Sequence, residues 1–349
     1  MQKTQKQDIV LRYCIQHHIL FFIVLIYTFM IFEAYFIYIL RTFPLHFVYF
    51  APLLNGILNH MNKTIIFPNL HITLENVGQN ISIGGFSIAF YGMIIGCGML
   101  IAMLYILHEA KRLGYSEDAY MDVTLVTIVC GVIGARLYYV MFRWDLYKDN
   151  LLSILNLRTG GLGIYGGIIV GLITVVIMCK IKKLDLLNSL DILLVGVIIG
   201  QIMGRWGNFF NREAFGEYTN NLFAMQLPRN AVRAEDITDS MLANITSIDG
   251  VEFISVHPTF LYESMWNVMI LLIMLFISRH KKFSGEVAVT YFIGYGIGRF
   301  IIEGLRTDQL KIWGSNIPIS QVVAIIMIVI GIAITVTKIS QLHQKNSKS

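Results

Sequence analysis

The chain has 349 residues, of which 56% are hydrophobic and 14% charged, with a mean hydropathy of +0.64. Soluble domains carry about 25% charged residues, so a soluble globular, disordered or disulfide-stapled protein is excluded and a polytopic membrane protein is expected. The net charge of +5 is too mild to point to nucleic acid. The four cysteines (Cys14, Cys97, Cys130, Cys179) stand singly in or beside apolar stretches, without the spacing of a zinc or redox site.

Residues 1–60 stand apart from the rest. The apolar block Ile19–Leu40, marred by Glu33 and flanked by Arg41, reads as an extra span or an interfacial segment, and it lacks the small-residue cleavage site of a signal peptide. Met61-Asn62-Lys63 reads as a natural start. The expected division is therefore 1–60, an upstream extension or the product of a mis-called start, with no part in the chemistry, and a core, 61–349.

Windows long enough for the ~30 Å hydrocarbon layer follow at 86–107, 119–142, 162–179, 187–204, 258–278, 286–305 and 317–337. Basic residues gather after the odd windows: Lys111 and Arg112, Lys180 to Lys183, Arg279 to Lys282, then Lys338, Lys345 and Lys348. The positive-inside rule places those ends and the C-terminus in the cytoplasm. The polar stretch 208–256 is expected to form a small extracytoplasmic head. The fold expected is an all-α polytopic membrane protein, a bundle of seven transmembrane helices with that head between spans four and five.

Glycines recur at four-residue spacing (Gly92 and Gly96; Gly163, Gly167 and Gly171; Gly196, Gly200 and Gly204; Gly294 and Gly298). In lipid, small residues let helix backbones approach and gain van der Waals contact. Most of these glycines are expected to serve packing, and a tight bundle leaves little room for a wide pore.

Charged groups inside spans are costly and are functional candidates. With the orientation above, Tyr91, Arg136, Arg158, Tyr165, Arg205, Asn208, His257, Tyr262 and Glu263 all lie toward the outer face. Tyr295, Arg299, Glu303 and Arg306 share one helical stripe there. The inner half is expected to be nearly featureless, with Asp122 and Asp191 read as helix-start residues. Inward arginines at a lipid-headgroup depth suit a phosphate through paired donors. The plainer alternative is an Arg–Glu lattice (Arg299 with Glu303, Arg205 with Glu213) that only holds helix ends.

The fourth span runs into Gly204-Arg205-Trp206-Gly207-Asn208-Phe209-Phe210-Asn211-Arg212-Glu213-Ala214-Phe215-Gly216. At every defined position this resembles the signature G-R-x-G-N-F-x-N-x-E-x-x-G of the prolipoprotein diacylglyceryl transferases. Phe90-Tyr91-Gly92, the stretch Gly134 to Tyr139 around Arg136, His257-Pro258-Thr259-Phe260-Leu261-Tyr262-Glu263, and Tyr295-Gly296-Ile297-Gly298-Arg299 with Glu303 and Arg306 are similar to further motifs of that family, in the same order. The resemblance covers about 65–340. One departure is Tyr165 in Gly160-Gly161-Leu162-Gly163-Ile164-Tyr165-Gly166-Gly167, where the family usually has histidine. A histidine takes a proton near neutral pH, whereas a phenol mainly donates hydrogen bonds.

The resemblance implies transfer of a diacylglyceryl group from phosphatidylglycerol to the lipobox cysteine of a prolipoprotein precursor at a bacterial cell membrane, with no cofactor and no metal. It implies substrate-binding roles for Arg205, Asn208, Tyr91, Arg136, Glu213, Gly216 and Glu303, and catalytic roles for Tyr295, Arg299 and Tyr165. An anion transporter would use similar arginines but should carry polar residues through both halves. An intramembrane protease needs a Ser–His or paired-Asp arrangement, for which no motif is present.

Overall fold

A computed structural model describes residues 64–346 apart from 84, 85, 158, 159, 249 and 313. The extension 1–60, with Cys14 and the apolar block 19–40, lies outside the described residues, as does Arg158. The chain divides into two units, 1–77 and 78–349.

In the first unit, β1 (Ile65–Phe67) and β2 (Ile72–Leu74) pair antiparallel with Ile65 opposite Leu74. A 3₁₀ turn, Pro68–Leu70, joins them, and His71 leaves it in the left-handed region at φ 54°. Proline at the first position of that turn presets the backbone and forgoes only a donor that would be unpaired there.

The second unit opens with the antiparallel pair β3 (Asn80–Ile83) and β4 (Phe86–Ala89), which runs straight into α1 (Phe90–Arg112). Then come α2 (Glu117–Phe142), α3 (Ile164–Ile181), α4 (Leu186–Asn211), α5 (Thr259–His280), α6 (Glu286–Glu303) and α7 (Ile319–Asn346). Six of these helices are long and apolar enough to cross a membrane. The exception, α6, carries Glu286, Arg299 and Glu303 within its 18 residues. The protein is a mostly helical, multi-pass membrane protein. It is not wholly α, however, because the polar stretch between α4 and α5 pairs β5 (Met225–Pro228) and β6 (Thr246–Ile248) antiparallel with β7 (Val251–Val256). These are short runs bounded by turns, too brief for helices to nucleate.

Helix starts follow local chemistry. Ser116 accepts from the Ala119 N–H at the head of α2, and Asp185 accepts from Asn188 at the head of α4, each satisfying a donor that the first turn leaves unpaired. The helix α4 stops where Arg212 turns left-handed at φ 53°.

Glycines set the helix pairs. On α2 and α3, a Cβ on Gly134 would stand 2.8 Å from the Gly166 carbonyl, and one on Gly166 2.4 Å from the Gly134 carbonyl, so the backbones touch. On α5 and α6, Trp266 lies against Gly298 and Ile270 against Gly294, the indole donating to the Gly294 carbonyl at 2.9 Å. Between α1 and α4, Gly98 receives Met203, Gly196 receives Ile106 and Gly207 receives the Tyr91 ring. The four-residue spacing was a partial guide: Gly92, Gly96 and Gly200 meet nothing within 4 Å. One apolar core lies among α1 to α4 around Tyr120, Val123 and Ile192, and a second among α4 to α6 around Val195, Ile198 and Met274.

The end of the bundle where α1, α3 and α5 finish is not featureless. Glu109 is buried and takes two bonds from Arg112 at 2.5 and 2.7 Å, with Arg279 at 3.9 Å. Asp191 does not start its own helix. Its carboxylate accepts from the Gly285 and Ala288 N–H groups at 2.9 and 3.0 Å, capping α6, and pairs with Lys281 at 3.1 Å. Asp122 pairs with Lys182 across α2 and the end of α3. Each of these charges is matched within the protein, which is why a helix end can hold it in an apolar setting.

Candidate functional site

The antiparallel seating of Trp266 on Gly298 fixes the register of α5 against α6, and so brings Glu263 level with Arg299. Aromatic packing of Phe260 against Trp206 (ring centroids 5.3 Å apart) and Phe209 (4.8 Å) does the same for α4. The result is a buried carboxylate that three elements share. Glu263 is 3% exposed. It accepts Arg299 Nη1 at 3.1 and 3.2 Å and lies 2.8 Å from Arg205 Nη2 and 3.7 Å from Arg306 Nη1. Arg299 also reaches Glu303 at 2.6 Å, one turn along its own helix. Arg306 forks onto Asp308 at 2.9 and 2.8 Å.

Three arginines and three carboxylates are thus gathered at the end of the bundle where α4 finishes and α5 starts. Isolated charges could not be buried there, whereas a matched network can. The matching is uneven. Arg205 uses one nitrogen on Glu263, and its Nε and Nη1 have no hydrogen-bond partner among the described residues. A guanidinium carries five donors, so Arg205, with two nitrogens unengaged against one on Arg299 and none on Arg306, has the most to offer an anion.

Outside the apolar helices, the charges at this end are tuned by their neighbours. Burial alone would push the Asp308 carboxyl up, but the Arg306 hydrogen bonds and charge hold it below its ordinary value. Arg306 is correspondingly held charged. Burial pushes the His257 imidazole below its ordinary value, with Glu217 opposing the shift.

The loop after α4 is wound around Glu213, which accepts from Asn208 at 2.9 Å and Asn211 at 3.2 Å. Glu213 therefore has its partners among the asparagines, and Arg205 takes Glu263 instead. Gly216 is the crossing point of three segments. Its N–H donates to the His257 carbonyl at 3.0 Å, and the next residue, Glu217, donates to Leu305 at 2.9 Å. A Cβ on Gly216 would come within 2.7 Å of the Leu305 carbonyl and 2.9 Å of the His257 Cβ. Thr259 adds a bond to the Ala214 carbonyl. This seam ties the loop after α4 to the start of α5 and the end of α6.

Tyr165, at the start of α3, and Arg299 are joined through Ser320 of α7, whose hydroxyl stands 3.3 Å from each. Tyr295 stacks on Tyr291 with centroids 5.3 Å apart and planes 6° apart. Tyr291 accepts from Gln201 at 2.9 Å, whereas the Tyr295 hydroxyl makes no hydrogen bond among the described residues. Tyr91 lies on Gly207 of α4.

Arg136 is differently placed. Its donors go to the carbonyls of Ile154, Gly160, Gly161, Ser153 and Asn156 at 2.7 to 2.9 Å, and its guanidinium lies over the Tyr147 ring. That side chain is 4% exposed and every N–H group is used, so it organises the connection between α2 and α3 and leaves no donor for a headgroup.

The sequence grouped Glu263 and Arg306 with Arg205 and Arg299 without a firm role, and the structure brings the four together; Ser320, Gln201 and Asp308 were not singled out. Glu263 carried a usable signal, a carboxylate one turn into an apolar helix. A lone serine at the head of an apolar window carries none.

A model of the family described as prolipoprotein diacylglyceryl transferase matches residues 79–337. The chain is 40% identical over 248 residues to the phosphatidylglycerol-prolipoprotein diacylglyceryl transferase of Clostridioides difficile (strain 630), covering 71% of this chain and 90% of that protein. It is 38% identical over 268 residues to the protein of that name from Finegoldia magna, covering 76% and 98%. With the one from Listeria innocua serovar 6a it shares 40% identity over 258 residues, covering 73% and 87%. With a match of that length, and with the Arg205, Glu263 and Arg299 cluster at its centre, the chain belongs to the prolipoprotein diacylglyceryl transferase family.

Proposed function

We propose that this protein moves the diacylglyceryl group of phosphatidylglycerol onto the thiol of a prolipoprotein lipobox cysteine, the first step of bacterial lipoprotein maturation. Membership of the family supports the reaction, and the observation that carries the site is Arg205, whose uncommitted donors sit beside the Glu263 and Arg299 pair.

The chemistry sets clear demands. A cysteine thiol of pKa about 8.5 is only a few per cent thiolate at neutral pH, so deprotonation and an electrophile held in place both matter. The thiolate sulfur bonds to the glyceryl carbon that carries the phosphate ester. The carbon–oxygen bond breaks, and its electron pair leaves on the phosphate oxygen as glycerol-1-phosphate. The thiol proton passes to solvent water before attack, so the thiolate enters and the phosphate monoester departs with the electron pair. Negative charge therefore grows on the departing phosphate, and donors already aimed there stabilise it without reorganising.

In this reading Arg205 binds the lipid phosphate, and Asn208 supports it by holding Glu213 and the loop that follows. Arg299 clamps the leaving phosphate, oriented by Glu263 and Glu303. Tyr295, whose hydroxyl is uncommitted, and Tyr165 donate hydrogen bonds near the reacting centre or assist loss of the thiol proton. Tyr91 lines the headgroup site against Gly207. Gly216 fixes the backbone seam, and Arg136 positions the entry to α3.

The long helices together make seven spans, α6 crossing as the charge-bearing one among them, with 208–256 as an extracytoplasmic head and 61–349 as the functional core. Basic residues after α1, α3 and α5 support cytoplasmic ends there, a cytoplasmic C-terminus and a site facing the outer leaflet. The enzyme is a lipid-dependent transferase of the cell membrane whose nucleophile comes from its substrate.

The test uses the purified full chain in detergent with phosphatidylglycerol and a lipobox peptide. A peptide mass gain of one diacylglyceryl group is the expected result, and a folded protein that produces none overturns the reading.

A further inference from the structure

The Ser320 hydroxyl joins three helices through one atom. Arg299 Nη2 of α6 donates to Ser320 Oγ of α7 at 3.3 Å, and the Tyr165 hydroxyl of α3 lies 3.3 Å from the same oxygen. A guanidinium has no lone pair, so the serine proton must find another acceptor, and the Tyr165 oxygen is within reach. With the serine donating to Tyr165, one of the two directions this separation allows, the order runs from Arg299 to Ser320 to Tyr165. Each bond polarises the next, and the Tyr165 proton is left for an acceptor beyond the three residues.

Ser320 is not needed to dock α7. Gln321 donates to the Phe300 carbonyl at 3.0 Å, Ile328 packs on Gly296, and Ile293 packs on Gly331. Arg299 is already held by two carboxylates. What Ser320 adds is a link between that arginine and a phenol that has no other hydrogen-bond partner among the described residues.

We infer that Ser320 is a positioning residue that couples the Tyr165 hydroxyl to Arg299, so that the phenol donates to the departing phosphate alongside the arginine. This rests on the transferase reading above. It gives Tyr165 a task that needs no proton exchange at neutral pH, which suits a phenol better than a base's role.

The test measures turnover of phosphatidylglycerol and lipobox peptide by Ser320→Ala, Ser320→Thr, Tyr165→Phe and the Ser320→Ala/Tyr165→Phe double variant. Losing a bond that strengthens only as charge develops should lower kcat about 10- to 100-fold and leave KM for the lipid within about twofold. Threonine, which keeps the hydroxyl, should restore most of kcat. The double variant should be no slower than Tyr165→Phe alone, since both changes break one chain. An alanine variant at the parent kcat, a threonine variant that fails to rescue, or losses that multiply in the double variant would each overturn the inference. Should the alanine variant not accumulate, Ser320→Cys keeps the volume and is judged by the same outcomes. A parent enzyme without transfer overturns the functional reading and the role of Ser320 with it, whereas an active parent with an unaffected serine variant overturns only the role of Ser320.

Discussion

Glu263 and Arg205 meet at 2.8 Å where α4 ends and α5 begins, with the carboxylate side chain 4% exposed and the guanidinium 17%. The same carboxylate holds Arg299 from α6. One acidic residue therefore sets the separation of the two arginines to which the phosphate chemistry is assigned, and its removal leaves both without their shared partner.

Glu263→Ala should destabilise the folded protein by about 3–5 kcal/mol, the usual cost of breaking a buried pair from one side. Glu263→Gln should lose less, because it keeps one acceptor oxygen. Thermal unfolding in detergent reads both, and an alanine variant as stable as the parent would show that the cluster is not held by this residue.

Arg136→Lys should not be conservative. Lysine offers three donors from one nitrogen, whereas five fixed N–H groups now reach carbonyls between Ser153 and Gly161. Leaving these partly buried carbonyls unpaired costs at most about 1–3 kcal/mol each. Limited proteolysis should show faster cleavage between α2 and α3 in the variant, and an unchanged cleavage rate would contradict the assignment.

Much of this was legible from the sequence, for definite reasons. Hydrophobic runs of bilayer length give the starts of the long helices within about four residues, because a single segment satisfies its own backbone in lipid only as a helix. Yet α4 runs on to Asn211 and α7 to Asn346, beyond the windows that end at 204 and 337. The stripe Tyr295, Arg299 and Glu303 follows from helix periodicity, and the Arg299–Glu303 pair follows in turn. What could not be read were choices among chemically equivalent partners. Arg205 has Glu213 nearby in sequence, yet pairs with Glu263 because Phe260 and Trp206 lock α5 against α4. Arg136 looked like a headgroup ligand by depth alone. Only the folded positions of Ser153, Ile154, Asn156, Gly160 and Gly161 show where its donors go. Asp191 looked like a helix start and instead caps α6, a relation that tertiary packing creates.

Gly216→Ala should impair folding and activity together. The added methyl would sit 2.7 Å from a backbone carbonyl that cannot swing aside, and overpacking of this kind costs about 1–3 kcal/mol. Gly200→Ala, with open space around it, should be tolerated. Expression yield and melting temperature of the two variants decide the matter, and equal behaviour would contradict the close crossing at Gly216.

Asp308 gives a pH-dependent prediction. Its folded carboxyl is held below its ordinary value, against burial, by Arg306. The stabilisation is therefore fully present above the unfolded carboxylate value of about 3.9 and is lost as pH falls through the lower folded value. Asp308→Asn should be less stable than the parent at pH 7, and the gap should narrow as pH falls below about 3.9. A gap that stays constant across that range would show that Asp308 is not the titrating partner of Arg306.

Arg205 is proposed to hold the lipid phosphate, and glycerol phosphate release measured beside peptide mass gain tests that role most directly. The parent should release one glycerol phosphate for each peptide modified. Arg205→Ala should slow both at least about 100-fold, while Arg229→Ala, at an exposed pair with Glu252, should match the parent. Release by Arg205→Ala at the parent rate would contradict the account.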